Sequence, residues 1–532
     1  MTVTITGSHF IAGKPSHSNN GEFTSHNPRT RTDGGVRFTN ATAEEIDRAV
    51  QAAQAAYEET RHYPAEKLAA FLDQVVVEID ALGDQLFQTT DEETGLGMPR
   101  LTGERGRTTG QLSQFAQLLR EGSYVEAIID RAIPDRQPAP RPSIRRMLFP
   151  IGPVAVFSAS NYPYAFAVAG GDAASAWAAG CPVIVKGNPG HPATSELLAH
   201  AINEAIRKTG FPAGFFSLLQ GNSVEVGQTL VKHPGVAAVG FTGSLRAGRA
   251  IYDAAAARPV PIPVYAEMGS VNPVVILPGA VAARGDAVAA GLVGSVTLGA
   301  GQFCTNPGLV FMVDSDATQA FINDVVEKMR ESQPGVLLNP QIENGLRQAV
   351  AGTLARPGVA NLLGGEPVEG PACGYAHTVM QTRSDVFRND DNLQQEHFGP
   401  VTLFVLCESQ DDLAATLRTL DGNLTATVHA ENGEIEQAGQ LLDVLREKVG
   451  RLIWNGFPTG VEVVHAMQHG GPYPATTAPA TTSVGMTAIK RFMRPVAFQN
   501  MPDSLLPDAL KDSNPLGIWR IVDDVMTRDP ID

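Results

Sequence analysis

Apolar residues first recur at helical spacing at Ile46, Ala49, Val50, Ala53 and Tyr57, the period of one buried helix face. Thr42-Ala-Glu-Glu45 stands directly before them, a capping box whose hydroxyl and carboxylate satisfy free backbone donors. The same spacing predicts helices over Ala65–Thr90 and Gly103–Glu121. Between Ile133 and Pro142 the pattern fails. Pro134, Pro138, Pro140 and Pro142 lie among charged residues there, which predicts an exposed arm or extended connector.

From Pro153 onward, short apolar runs alternate with helical ones. Strands are predicted at Val154–Ser158, Pro182–Lys186, Phe216–Gln220, Val236–Phe241 and Pro263–Ala266. Helices are predicted between them at Ala165–Ala179, Thr194–Lys208, Val224–Lys232 and Arg246–Ala256. Such alternation describes a doubly wound parallel sheet, with ligands at the carboxyl ends of its strands. Nucleotide binding is the first expectation. A second alternating block starts at Val274–Leu277, passes through helices near Arg284–Leu298 and Ala317–Arg330, and reaches a strand at Thr402–Leu406 before ending near Asn455. The tail after Arg491 is proline-rich and weakly patterned, which predicts a surface wrap.

Composition narrows the partners. The 532 residues carry a net charge of −16 and no long Lys/Arg run, which argues against nucleic acid or an anionic membrane. An anionic small molecule remains compatible, because it needs only one or two local cations. With 43% apolar residues, a chain of this length buries a substantial core. The opening MTVTITGSHF has neither a basic region nor an apolar core, so no secretory signal is expected. No uninterrupted run of strongly apolar residues suggests a membrane span. Cys181, Cys304, Cys373 and Cys407 are too few for a disulfide scaffold, and without a CxxC pair no metal is expected. A soluble protein of the reducing cytoplasm fits these features.

Several segments carry candidate chemistry. An isolated cysteine is usually a small buried hydrophobe, and Cys181, Cys373 and Cys407 fit that description. Cys304 does not: Gly299-Ala-Gly-Gln-Phe-Cys-Thr-Asn-Pro-Gly308 sets it in a glycine-rich turn where a ligand has room to approach, and a thiolate there could attack an electrophilic carbon. Glu267 ends an apolar strand. It reads either as a solvated or capping residue or as a general base with a pKa raised by partial burial. Ser158-Ala-Ser-Asn161-Tyr-Pro follows the first strand, and Asn161 serves either as turn chemistry or as a donor to an oxyanion. Gly240-Phe-Thr-Gly243-Ser244 links a strand to a helix, a place for a phosphate. Lys186 ends another strand, within reach of ribose or phosphate or simply at the surface.

Ser160-Asn161-Tyr-Pro, Val185-Lys186, Phe241-Thr-Gly-Ser244, Glu267-Met-Gly, Gly301-Gln-Phe-Cys304 and Gln395-Glu396-His-Phe398-Gly-Pro400, in this order, resemble the aldehyde dehydrogenase superfamily from about residue 40 to 500. The resemblance implies an α/β fold with two doubly wound domains and a small β oligomerisation arm. Residues 1–131 and 148–266 would bind the cofactor, 267–470 would form the catalytic domain, 132–147 and 485–500 the arm, and 501–532 a tail. It further implies a nucleophile at Cys304, a base at Glu267, an oxyanion donor at Asn161, and cofactor contacts from Lys186, Gly243, Ser244, Glu396 and Phe398, with Ser158 beside them. Homodimers or homotetramers are implied as well.

Asn455-Gly-Phe-Pro-Thr-Gly-Val-Glu-Val-Val-His465-Ala-Met-Gln-His-Gly-Gly-Pro-Tyr-Pro-Ala-Thr476 and Arg491-Phe-Met-Arg-Pro-Val-Ala-Phe-Gln-Asn500 look like the subgroup acting on α-ketoglutaric semialdehyde (2,5-dioxovalerate). Its substrate ends in a carboxylate, which calls for a cation or N–H donors in the tunnel. Arg107 is the first candidate, with Gln111, Tyr162 and the wall beginning at Phe457. Many NAD-preferring relatives carry a Glu three residues after the strand-end lysine, where this chain has Pro189. Without that carboxylate a 2′-phosphate is not repelled, so NADP is expected, with NAD possible. Rival readings are a dehydrogenase of long-chain or other aliphatic aldehydes, an acyltransferase to coenzyme A, and a non-catalytic binding protein.

Overall fold

The computed structural model describes residues 3–531. Thr42 and Glu45 form the reciprocal cap: each backbone N–H donates to the other side chain, at 3.0 and 3.2 Å, and the helix Ala43–Thr60 follows. Strands Val154–Phe157, Val183–Lys186, Phe216–Leu219, Ala238–Thr242 and Val264–Glu267 pair in parallel. Their spatial order is fifth, fourth, first, second, third. Order therefore reverses between 154–157 and 238–242, where such a sheet opens its ligand crevice. His9–Ile11 and Lys14–Ser16 extend it in antiparallel fashion. The central strands read as continuous apolar runs because helices cover both faces.

The second sheet orders Ala360–Leu363, Thr378–Arg383, Val401–Cys407, Leu309–Val313, Val274–Ile276, Asn423–His429 and Val449–Trp454. All pairs are parallel except the first. Helix Pro278–Thr297 lies against this sheet. The stretch Pro278–Gly301 is by length and composition sufficient to cross a membrane. Here Val288, Leu292 and Val296 pack with Val274, Ile276 and Phe404.

Three local expectations differ from the structure. The helix expected over Ala65–Thr90 is two, Ala65–Ala81 and Gly83–Thr94, broken where Gly83 adopts a φ of +54°. The helix expected from Ala165 starts only at Gly171, because the Tyr164 and Ala165 N–H groups donate to the buried Glu104 carboxylate instead, at 2.8 and 3.0 Å. The C-terminal tail is also more than a wrap. Met493–Gln499 pairs with Ile144–Pro150, which pairs with Ile128–Asp130. Arg520–Val522 then joins Ile128–Asp130 in parallel, and Val525–Thr527 closes the sheet. Ile129, Met147, Leu506, Leu510 and Ile518 form a separate small core beneath it.

Candidate active site

Cys304 lies in the loop between the turn Leu298–Gly301 and the strand Leu309–Val313. Gly299, Ala300 and Gly301 all have left-handed backbones, at φ +57°, +56° and +69°. Ala300 adopts this at a steric cost of roughly 1–2 kcal/mol. A Cβ on Gly301 would lie 2.1 Å from the Gly399 carbonyl oxygen, so only glycine brings the two loops together. Asn272 pins the loop from below: its Nδ2 donates to the carbonyls of Cys304 and Asn306 at 2.8 and 2.9 Å. Asn161 follows the central strand and donates from Nδ2 to the Gln302 carbonyl at 2.9 Å. Its second amide hydrogen is left for the cavity it lines with Cys304.

Glu267 stands at the end of its strand, and the segment around residues 475–477 pairs along that strand's edge: Met268 N donates to Ala475 O at 2.8 Å and Thr477 N to Ala266 O at 3.1 Å. This segment brings His469, which lies inside the motif Asn455–Thr476 without a role drawn from it, and Ser483, which no sequence motif marks. His469 Nε2 lies 2.9 Å from Glu267 Oε1 and 3.5 Å from Cys304 Sγ. Ser483 Oγ donates to Glu267 Oε2 at 2.5 Å. Burial alone would raise the Glu267 carboxyl, but the adjoining imidazole and the hydrogen bonds from His469 and Ser483 outweigh it and hold the group below its ordinary value. The expected upward shift is thereby reversed. Burial, reinforced by the Glu267 charge, instead pushes the Cys304 thiol well above its ordinary value. The resting sulfur is a thiol rather than the thiolate the sequence suggested.

Cys304, Glu267 and Asn161 share a cavity of about 340 Å³ with Tyr162, Gly243, Ser244, Glu396 and Phe398. It opens at the switch point of the first sheet. Ser244 caps helix Leu245–Ala256, accepting from Ala247 N at 3.4 Å, so free N–H groups face outward for an anion. Gly269 admits Glu396: a Cβ there would lie 2.7 Å from Glu396 Oε2. Burial pushes the Glu396 carboxyl up to about 7, with the Glu267 charge adding to it. Lys186 and Ser158 end neighbouring strands without lining this cavity. Burial alone pushes the Lys186 amine down to about 8, and Ser158 Oγ is buried without a partner among the described residues. An unpaired cation, an orphaned hydroxyl and a helix N-terminus at one crevice fit a dinucleotide.

A second cavity, of about 610 Å³, meets the first at Tyr162 and is lined by Arg100, Glu104, Arg107 and residues 460–463. Arg107 stacks its guanidinium 5.2 Å from the Phe166 ring centre and 5.8 Å from that of Tyr162. Its Nη1 is buried without a partner among the described residues. Arg100 is occupied, 3.4 Å from Glu104 and stacked 4.3 Å from Tyr162. Glu462 is the other acid of this wall. Arg451 fixes the wall, donating to the carbonyls of Pro458 and Gly460 at 2.7 and 3.2 Å. Two expected substrate residues lie elsewhere. Phe457 packs on His429, 4.7 Å between ring centres, in the space left by Gly291, whose Cβ would meet its ring at 2.4 Å. Gln111 lines neither cavity and sits buried against Gly171.

A thiol in a cavity at the crevice of a doubly wound sheet, beside residues that fit a dinucleotide, is the arrangement of an α/β nucleotide-dependent enzyme. Residues 15–475 match the aldehyde dehydrogenase family, and the chain belongs to that family, as an NAD(P)-dependent aldehyde dehydrogenase. It is 49% identical over 486 residues to alpha-ketoglutaric semialdehyde dehydrogenase 2 of Azospirillum brasilense, covering 91% of this chain and 92% of the relative. It is 43% identical over 522 residues to alpha-ketoglutaric semialdehyde dehydrogenase of Acinetobacter baylyi, covering 98% and 99%. Among solved structures, lactaldehyde dehydrogenase of Escherichia coli shares the fold, with a TM-score of 0.80 at 23% identity over 93% of this chain and 99% of that one.

Proposed function

We propose that the enzyme oxidises α-ketoglutaric semialdehyde to α-ketoglutarate, with NADP as preferred cofactor and NAD as a usable alternative. One observation carries the substrate reading: the unpaired, buried Arg107 Nη1 in the cavity that meets the Cys304 cavity at Tyr162. A guanidinium with a buried nitrogen left unpaired is suited to a carboxylate arriving from outside. The naming of both near-full-length relatives supports the same substrate. Pro189, in place of an acidic side chain, and the unpaired Lys186 support a cofactor with a 2′-phosphate.

The residues then act as follows. Arg107 holds the far carboxylate and directs the aldehyde carbon towards Cys304. The sulfur, once deprotonated, bonds to that carbon, and the oxyanion is held by the free Asn161 amide hydrogen and the Cys304 backbone N–H. A bound nicotinamide dinucleotide supplies the hydride acceptor, and Lys186, Ser158, Ser244, Glu396 and Phe398 hold that molecule. Glu267 takes a proton from water as the Cys304 thioester is hydrolysed. The edge strands Met493–Gln499 and Val525–Thr527, with Val525 and Met526 exposed, are covered by a second copy in a homodimer or homotetramer. Light scattering tests that part, and a monomer overturns it.

The substrate assay compares kcat/KM for the ω-oxo acid with that for a neutral aldehyde of equal length, using both cofactors. A preference for the acid is expected. Arg107→Met should raise KM for the acid at least tenfold and leave the neutral aldehyde unaffected. Preference for the neutral compound overturns the assignment.

A further inference from the structure

His469 touches both the sulfur and the carboxylate through one atom. Nε2 lies 2.9 Å from Glu267 Oε1 and 3.5 Å from Cys304 Sγ, and the three groups' reactive atoms lie within 4.8 Å of one another. The ring is fixed from behind: His469 N donates to Thr482 Oγ1 at 2.8 Å, and Ser483 N donates to the His469 carbonyl at 2.9 Å. Its other nitrogen, Nδ1, is buried with no partner among the described residues.

These contacts set the tautomer. A bare Nε2 facing an ionised carboxylate would oppose two lone pairs, so Nε2 carries the hydrogen. That single Nε2 hydrogen is available to two acceptors, Glu267 Oε1 and Cys304 Sγ. Only one of those acceptors is negative at a time.

We propose that His469 is a catalytic residue acting as a shuttling hydrogen-bond donor: its Nε2–H turns from the Glu267 carboxylate to the Cys304 sulfur as the thiol proton passes to Glu267. In that step the S–H bond breaks, an O–H bond forms on Glu267, the electron pair stays on sulfur, and the His469 N–H bond remains intact. The donor follows the negative charge. A charge-assisted hydrogen bond to the new thiolate offsets the burial that otherwise disfavours it. The proposal rests on Cys304 being the nucleophile.

Other charges face this cluster. Glu396, Arg107 and Arg451 act on the sulfur, and the buried Asp172–Arg491 pair stands behind Glu267. All remain in a variant at position 469, so a changed profile reports on the imidazole.

The test is alkylation of the apo full-length enzyme by iodoacetamide from pH 6 to 10, in EDTA and without aldehyde, with the label mapped by mass spectrometry. His469→Ala should slow Cys304 labelling at least tenfold at pH 7 and move its inflection upward by a pH unit or more. His469→Gln, whose amide N–H reaches the same place, should recover most of the rate, whereas the shorter His469→Asn should not. The Gln and Asn pair carries the comparison if the Ala variant fails to fold. An unchanged rate in the Ala and Asn variants overturns the proposal. So does a folded Gln variant as slow as Asn, because the ring would then be taking the proton itself. Wild-type label on another cysteine overturns the nucleophile reading, and this proposal with it.

Discussion

Lys186 offers a quantitative test of the cofactor crevice. It ends the strand Val183–Lys186, and burial alone pushes its amine from 10.5 down to about 8. Below pH 8 the amine is still charged in the folded chain. Holding it so costs roughly 3 kcal/mol relative to a solvated lysine, at about 1.4 kcal/mol per pH unit. Lys186→Met keeps an unbranched side chain and removes the charge. The apo variant should therefore be more stable than wild type by about 3 kcal/mol at pH 7. For a chain of this length that corresponds to roughly 3 °C in melting midpoint.

The pH dependence follows from the direction of the shift. Between pH 8 and 10.5 the unfolded chain binds the lysine proton more readily than the folded one, so wild-type stability rises with pH in that window. The advantage of the variant should shrink across it and vanish near its upper end. Cofactor should act in the opposite sense. If NADP is the cofactor, as proposed, it binds the folded state alone and should raise the wild-type midpoint, and that of the variant much less. Scanning calorimetry at pH 7, 9 and 10.5, with and without NADP, measures all of these. A variant that melts at or below wild type at pH 7, or a gap that persists unchanged to pH 10.5, refutes the reading of Lys186 as a cation held unpaired for a ligand.

Three further outcomes are expected. Gly301→Ala places a methyl 2.1 Å from the Gly399 oxygen and must displace the Cys304 loop, so kcat should fall by about two orders of magnitude while NADP affinity measured by fluorescence stays within twofold. Arg491→Met strands Asp172, whose carboxylate is now held by Arg491 Nη1 at 2.7 Å; denaturant titration should register a loss of about 3–5 kcal/mol, with most of it recovered when Asp172→Asn is added. Glu267→Gln keeps the cavity's shape and removes the carboxylate proposed to activate water, so rapid mixing should resolve a burst of reduced cofactor followed by slow turnover. An unaltered steady state removes Glu267 from that role.

Much of the framework is written locally. Thr42 and Glu45 are three residues apart and cap the helix they announce, and the apolar strand runs bounded by helical spacing locate the parallel sheet. Cys304 stands out because glycines surround it, and the two before it, Gly299 and Gly301, do adopt left-handed backbones, whereas Gly308 after it does not. What escaped was set by distance along the chain. His469 stands in the motif Asn455–Thr476, but its place beside Glu267, 202 residues away, depends on a segment without regular structure that pairs with a strand edge. Arg520–Val522 has three residues, too few for an alternating pattern, and its partner strand is near residue 128. Phe457 was readable as an apolar wall, but not as the ring that fills the gap above Gly291.

The electrostatics of Glu267 and Cys304 differ from the sequence expectation for the same reason, and the difference changes the chemistry. Burial of Glu267 was legible and by itself implies a raised pKa, yet His469 and Ser483 reverse the sign. The thiol is pushed the other way. Two neighbouring groups driven apart in this manner take distinct states at rest, a neutral thiol beside an ionised carboxylate. A neutral sulfur is a poor target for oxidants, since reactivity resides in the thiolate. Reaction then requires one proton to cross less than 5 Å, from a group buried against charge to one already provided with donors. The carboxylate is ready to accept it because its hydrogen bonds come from a segment some two hundred residues away. Cys304 is thus positioned by local glycines, and on the proposed mechanism its protonation is governed by a distant loop.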